Sequence, residues 1–360
     1  MRSLFSIALL ASVLSACATV PGTSDGGKEG GANSAQATSR YEVFPAVRGL
    51  NRAEDGVAFA DGRIIVADQI HGLTLISPDQ STRPFGNFAK AGFRHEAKIW
   101  PAAPNGVSLE PDGAHILVAD IHTGAIYRTN IKTETTERVY QHRFAVNTAV
   151  RDSSGALWFT QSTRNRGGAK SEERLTASFN TYVADGALFR IAPPSARHAR
   201  TKPQRMLSGL CFANGLVIDE ARGALYLNES CGNRVNAYRL SVKTGKLSGH
   251  RVLADVLLPD NIEMDERGNL LVASLVRNEI LMINPDSGEA KSMFRAQTAD
   301  NDRISAEWRR RSAARQPLLD LFTPSLWAPL PGPVTGVIQT PGGGPVYVSG
   351  LGDALIKVKP

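Results

Sequence analysis

Asn214-Gly215-Leu216-Val217-Ile218, then Gly223, then Leu225-Tyr226-Leu227 is the stretch whose reading decides the fold. A polar residue opens it, a short apolar strand follows, the chain turns on a glycine, and a second strand returns. The unit recurs through the chain. Glu54-Asp55-Gly56-Val57-Ala58-Phe59 leads to Asp61-Gly62 and Ile64-Ile65-Val66-Ala67-Asp68. Asn105-Gly106-Val107 leads to Pro111-Asp112-Gly113 and Ile116-Leu117-Val118-Ala119-Asp120. Asn147-Thr148-Ala149-Val150, Asp260-Asn261-Ile262 and Thr335-Gly336-Val337-Ile338 open three more units, followed by Leu157-Trp158-Phe159-Thr160, Leu270-Leu271-Val272-Ala273 and Val346-Tyr347-Val348. A third strand follows in most, as in Ile280-Leu281-Met282-Ile283. Short strands with turn residues at fixed offsets in a repeating unit predict a β-propeller. No segment sustains the 3.6-residue period of a helical bundle.

The expected fold is therefore all-β, a six-bladed propeller over 41–360. Its last unit stops after three strands, and Tyr41-Glu42-Val43-Phe44 is expected to supply the fourth and close the ring, which removes exposed sheet edges. Two insertions interrupt the pattern: Arg164 to Asp185 in the third blade, and Ala296 to Pro333 before the sixth. Insertions of that length are commonly functional lids or disordered segments. In the second, Ile304 and Trp308, then Leu318, Leu319, Leu321 and Phe322, predict a short amphipathic helix that caps the mouth, packs on the blade edges or rests on a membrane.

The N-terminus speaks to compartment. Arg2 precedes a mostly apolar run, Leu4 to Leu14, too short for the roughly 20 residues that span a bilayer. It reads as a secretory signal over 1–16. Leu14-Ser15-Ala16-Cys17 resembles a bacterial lipobox, in which Cys17 becomes the lipid-modified first residue; a plain signal cleaved near Ala16 or Ala18 is the alternative. Residues 17–40, rich in Gly, Ser, Thr and Ala, read as a flexible tether with a reach of roughly 25 Å. Ala18 is not the acidic residue that retains such proteins in the inner membrane, so the expectation is an outer-membrane anchor facing the periplasm, with a monomeric domain on it.

The formal charge of +7 over 360 residues includes Arg309-Arg310-Arg311 and carries no basic stripe with interleaved aromatics, so no nucleic-acid partner is expected. Cys211 and Cys231 sit almost symmetrically about a predicted turn near Asp219 to Gly223. Cross-strand placement there brings two Cα atoms within disulfide range, and an exported protein folds under oxidising conditions. Two buried free thiols are the other possibility.

In a propeller the first strand of each blade lines the axis. The residues opening the six units, Glu54, Asn105, Asn147, Asn214, Asp260 and Thr335, therefore converge. Two carboxylates with several neutral oxygens suit calcium, which takes six to eight oxygen ligands. No His or Cys joins them, which argues against zinc. Asn-Gly and Asp-Gly are also ordinary turn residues; it is their shared register that points to a site.

Phe212-Ala213-Asn214-Gly215-Leu216, Leu258-Pro259-Asp260-Asn261-Ile262, Glu54-Asp55-Gly56 and Val146-Asn147 resemble the six-bladed superfamily of gluconolactonase/regucalcin, diisopropyl fluorophosphatase, paraoxonase and strictosidine synthase-like proteins. That resemblance implies metal ligation by Glu54, Asn147, Asn214 and Asp260, and a nucleophile or general-base role for Asp260. It implies hydrolysis of small lactones, aryl esters or organophosphates. The layout looks closest to the strictosidine synthase-like branch, through Phe159-Thr160, Gly186-Ala187-Leu188-Phe189-Arg190 and Gln316-Pro317-Leu318-Leu319-Asp320. The late glutamate of strictosidine synthase has no counterpart after Glu307, and Asn105 stands where paraoxonases place a histidine, so Asn105 is expected to orient substrate. His95, His122 and His142 carry no assigned role. The competing expectation is a non-catalytic binding module with a structural calcium.

Overall fold

In a computed structural model, residues 39–193 and 202–359 are described. The signal segment, Cys17 and nearly all of the tether lie outside them. Among the described residues no helix is long and apolar enough to cross a membrane.

Six four-stranded antiparallel sheets form the propeller. The first strands touch one another in sequence around the ring and so surround its axis. The sixth sheet is completed by Tyr41–Phe44, which pairs antiparallel with Leu355–Val358 in the register Tyr41↔Val358 to Phe44↔Leu355. The ring is thus closed by joining the two ends of the chain.

The packing explains why the second strands read as unbroken apolar runs. Ile64–Asp68, Leu157–Gln161 and Leu270–Ser274 are buried along their whole length. Each is pressed by a neighbouring blade on both sides. Ile65 and Ala67 face blade two beside Val107 and Val118, while Ile64 and Val66 face blade six beside Ile338 and Leu355. Six such apolar layers alternate with the six blades. At about 25 cal/mol per Å² of apolar surface, these layers are the main source of stability.

In an antiparallel four-stranded blade, the connections after the second and fourth strands emerge at the same end. The start of every first strand lies there too. The opening residues of the repeats and both insertions therefore share one face, here called the mouth face.

Both insertions contain helices. The first holds α1 (Ser171–Thr181), a helix that the sequence pattern does not announce. The second holds α2 (Ala299–Ala313), capped by the Thr298 side chain, and α3 (Pro324–Trp327). Ile304, Trp308, Leu318, Leu321, Leu326 and Trp327 pack with Leu257, Leu258, Leu275 and Val276, which belong to mouth-face loops of blade five. Asn180 accepts from the Leu318 and Leu319 amides at 2.9 Å, and the Tyr182 hydroxyl donates to the Gln316 carbonyl at 2.9 Å. The two insertions thereby join into one cover on the mouth face.

Cys211 and Cys231 are bonded, with a Cα–Cα distance of 5.4 Å, and flank the hairpin of Ala213–Asp219 and Ala224–Glu229. The bond closes a loop with a sequence separation of 20 residues. On the chain-entropy account such closure stabilises by about 3 kcal/mol. Replacing both cysteines by alanine is expected to lower the free energy of unfolding by about that amount, read from urea denaturation at fixed calcium; an unchanged midpoint would show that the hairpin is held without the bond.

Candidate functional site

Four of the six opening residues sit in β-bulges. The ladder between the first and second strands shifts register between Pro104 and Val107, Ala213 and Leu216, Pro259 and Ile262, and Val334 and Gly336. Asn105, Asn214, Asp260 and Thr335 fall inside those shifts. A bulge re-aims a side chain that regular pleating would point elsewhere. Glu54 and Asn147 instead precede their strands, Gly56–Ala58 and Ala149–Arg151. The glycines following Asn105 and Asn214 are required by close approach, not by turns. A Cβ on Gly215 would lie 2.6 Å from the Ile262 nitrogen, and one on Gly106 2.9 Å from the Asn147 carbonyl oxygen.

The ring is buried. Glu54, Asn105, Asn147, Asn214 and Thr335 are almost completely enclosed, and Asp260 is 8 % exposed. Glu54 is tied to its surroundings on one side: its carbonyl accepts from Thr335 Oγ1 at 2.7 Å and Ser349 Oγ at 2.9 Å, and its Oε1 accepts from Asn261 Nδ2 at 3.2 Å. Thr335 thus spends its hydroxyl on the backbone. Asn214 donates Nδ2 to Ser230 Oγ at 3.0 Å, and its amide also reaches the Asp260 carboxyl. Asn228 donates to the Asp260 carbonyl at 2.7 Å. Asn147 Oδ1 accepts from Thr148 Oγ1 at 3.0 Å. Glu54 Oε2 and Asn214 Oδ1, in contrast, are buried oxygens with no hydrogen-bond partner among the described residues. Unpartnered buried acceptors are costly. A cation satisfies both at once, and an acid pair with amide oxygens is the donor chemistry of calcium. The residues present therefore fit that ion.

The electrostatics point the same way. Burial, then the neighbouring Asp260 charge, pushes the Glu54 carboxyl well above its usual range, against the pull of Arg52. Burial raises Asp260 to about 7, opposed by the Asn214 hydrogen bond and Arg52. Two further acids, to which the sequence gives no role in the site, belong to the same region. Asp55 is raised to about 7 by burial although it accepts from the Gly56 and Val107 amides at 2.9 and 2.8 Å. Glu263 is raised to about 8 by burial, with the Asp55 charge adding to it.

Arg52 was also missed. It occupies the left-handed region at φ 62°, two residues before Glu54. It donates Nη1 to the Pro104 carbonyl at 2.6 Å and Nη2 to Asn105 Oδ1 at 2.8 Å. Asn105 is thereby fixed by Arg52, with its own Nδ2 left without a partner. Its charge is felt by Glu54, Asp260, His122 and Glu172 of α1, which places the guanidinium among them. His122, with Nδ1 2.7 Å from the Pro101 carbonyl oxygen, is held near 4, chiefly by burial. His142 contacts Gln161 and packs edge-on or tilted among Phe144, Phe159 and Phe189, a packing role.

Two other features lie elsewhere. Glu110, Asp112 and His115 cluster closely enough to hold a cation. They follow the first strand of blade two, at the end away from the mouth. Arg128 and Arg151 already neutralise them, with contacts of 2.8 and 2.6 Å to Glu110 and 3.2 Å from Arg128 to Asp112. A cavity of about 330 Å³ lies between α2 and the disulfide-linked loop, lined by Cys231, Asn233, Asp255, Arg309 and Ser312 among others. It includes none of the ring residues.

Residues 138–300 match the family described as SMP-30/Gluconolactonase/LRE-like region. The match covers blades three to five, and with them Asn147, Asn214 and Asp260; Glu54 and Asn105 lie before it. No curated protein sequence matches the chain. Among solved structures, a gluconolactonase from Xanthomonas campestris is similar at 16% identity and a TM-score of 0.58, over 86% of this chain and 86% of that one. A luciferin-regenerating enzyme is similar at 15% identity and a TM-score of 0.55, over 89% of this chain and 95% of the other. At these identities the likeness concerns the fold. The chain is thus a six-bladed propeller whose residues 138–300 are similar to the SMP-30/gluconolactonase/LRE-like family.

Proposed function

We propose that the chain is a calcium-dependent hydrolase of lactones or related esters, exported and held by a lipid on Cys17 at the periplasmic face of the outer membrane. One observation carries the chemistry: Glu54 Oε2 and Asn214 Oδ1 are buried and unpartnered beside the Asp260 carboxyl. The matched region and the gluconolactonase-like fold support the substrate class. Leu14-Ser15-Ala16-Cys17 supports the anchor.

Glu54, Asn147, Asn214 and Asp260 would hold the ion. Bound calcium supplies Lewis acidity toward a carbonyl or phosphoryl oxygen and offsets the charge that develops on it. The chain's own residues do the rest. Asp260 attacks the carbonyl or takes a proton from water, a role suited to a carboxyl whose proton affinity burial has raised. Arg52 holds Asn105 so that its free Nδ2 is available to a substrate oxygen. The cover formed by the two insertions excludes water, which strengthens each of these interactions. Near-complete burial of the ring is also the observation on the side of a binding module with a structural ion, and turnover separates the two readings.

Turnover of a γ- or δ-lactone or an aryl ester is expected to vanish on chelation and return with calcium. Asp260→Asn is expected to lower it by at least about 100-fold while circular dichroism stays unchanged. Bound calcium without turnover across such a panel would replace the hydrolase reading with the structural one.

Stability should depend on pH in a defined direction. Glu54, Asp55, Asp260 and Glu263 bind protons more tightly in the folded chain than their usual values allow. Between about pH 4 and 8 the folded state therefore carries more protons than the unfolded one, and stability falls as pH rises. His122 acts oppositely, but only between about 4 and its ordinary 6.5. With calcium removed, Tm is expected to drop from pH 6.5 to pH 8. With saturating calcium the drop should be much smaller, because the ion replaces the protons; parallel pH profiles would contradict this.

A further inference from the structure

We propose that the mouth face docks on an anionic lipid surface through loops of blades one to three. The exposed large apolar side chains are not scattered. Val47, Ile70, Ile99, Trp100 and Val183 lie in connections that follow a second or fourth strand, and so on the mouth face. Val47 is 83 % exposed, Ile99 65 % and Trp100 40 %. Among the described residues the other two exposed large apolar side chains are Leu109, at the far end of its strand, and Val252, on an outer strand.

The loops adjoin one another. Gln69, beside Ile70, donates its amide to the Asn51 carbonyl at 2.9 Å, which joins the Ile70 loop to the loop carrying Val47. The indole of Trp100 comes within 3.5 Å of the position a Cβ would take on Gly167 in the first insertion. Trp100 thus bridges blade two to the cover.

Charge selects the occupant. Lys98 flanks Ile99 and Trp100, and Arg164 and Lys170 stand in the first insertion. All three are exposed, and none forms an ion pair among the described residues. The exposed carboxylates beside them are Glu173 and Glu96, and Arg94 already pairs with Glu96 at 2.6 Å. A tryptophan and aliphatic residues bordered by unneutralised cations match an interface of apolar chains and anionic headgroups. The docking does not depend on the hydrolase reading.

Tryptophan emission tests this directly. Of the four tryptophans, Trp158, Trp308 and Trp327 are buried, which leaves Trp100 as the reporter. The full chain is mixed with phosphatidylglycerol/phosphatidylcholine vesicles, with or without bromine on the acyl chains. The expected result is blue-shifted emission with ordinary lipid and quenching with brominated lipid, both weakened by salt. Trp100→Phe should abolish the quenching while vesicle co-sedimentation persists. Lys98→Glu combined with Lys170→Glu should reduce the quenching. Leu109→Ser, on the far end, should change nothing. Protein that stays off the vesicles, or binds them with identical emission in brominated and ordinary lipid, would overturn the proposal and leave the face to a protein partner. Equal quenching in pure phosphatidylcholine would overturn its anionic component.

Discussion

Glu54 and Asp260 face each other at the closed centre of the ring, where burial alone pushes both carboxyls toward their protonated forms and their mutual repulsion adds to the effect on Glu54. Much of the surrounding structure serves to hold that pair in place. The Glu54 backbone is pinned by Thr335 and Ser349 of the sixth blade, and its carboxyl by Asn261 of the fifth. The Asp260 carbonyl is held by Asn228 of the fourth. The ring can present these groups only while all six blades are in register, so closure by Tyr41–Phe44 is a condition of the site as well as of the fold.

The bulges give the repeat its chemical meaning. Regular pleating would alternate side chains between the two inter-blade layers and deliver none of them reliably to the axis. One extra residue at the start of the first strand turns Asn105, Asn214 and Asp260 inward and returns the next apolar residue to its layer. Because the neighbouring blade then presses on the following position, Gly106 and Gly215 have no room for a side chain. The Asn-Gly pairs thus record blade packing, and the turn chemistry they ordinarily signal is not what they do here.

This divides what was legible from what was not. The six units and the closing strand follow from register alone, since apolar runs buried on both faces leave little freedom. Helix α1 did not show, because Leu175 and Phe179, which pack on Phe212 and its neighbours, are its only large apolar residues, too few for a periodic signal, and the rest of its docking is polar, through Ser171, Asn180 and Tyr182. Arg52 precedes its repeat and points by virtue of a left-handed backbone that arginine seldom adopts. Asp55 reads as half of an Asp-Gly turn, and Glu263 as an outward residue of an alternating strand. Only the packed ring reveals that both are half-buried, with the second carboxyl oxygen of Glu263 shut off from solvent.

Calorimetric titration of the full, chelated chain with calcium at pH 7 tests the centre of this account. One ion per chain is expected, with binding lost in Glu54→Gln and in Asp260→Asn and retained in Glu110→Gln, whose carboxylate is already matched by Arg128 and Arg151. Binding that survives Glu54→Gln and Asp260→Asn but disappears with Glu110→Gln would place the ion on the far side of the propeller and contradict the assignment of the ring.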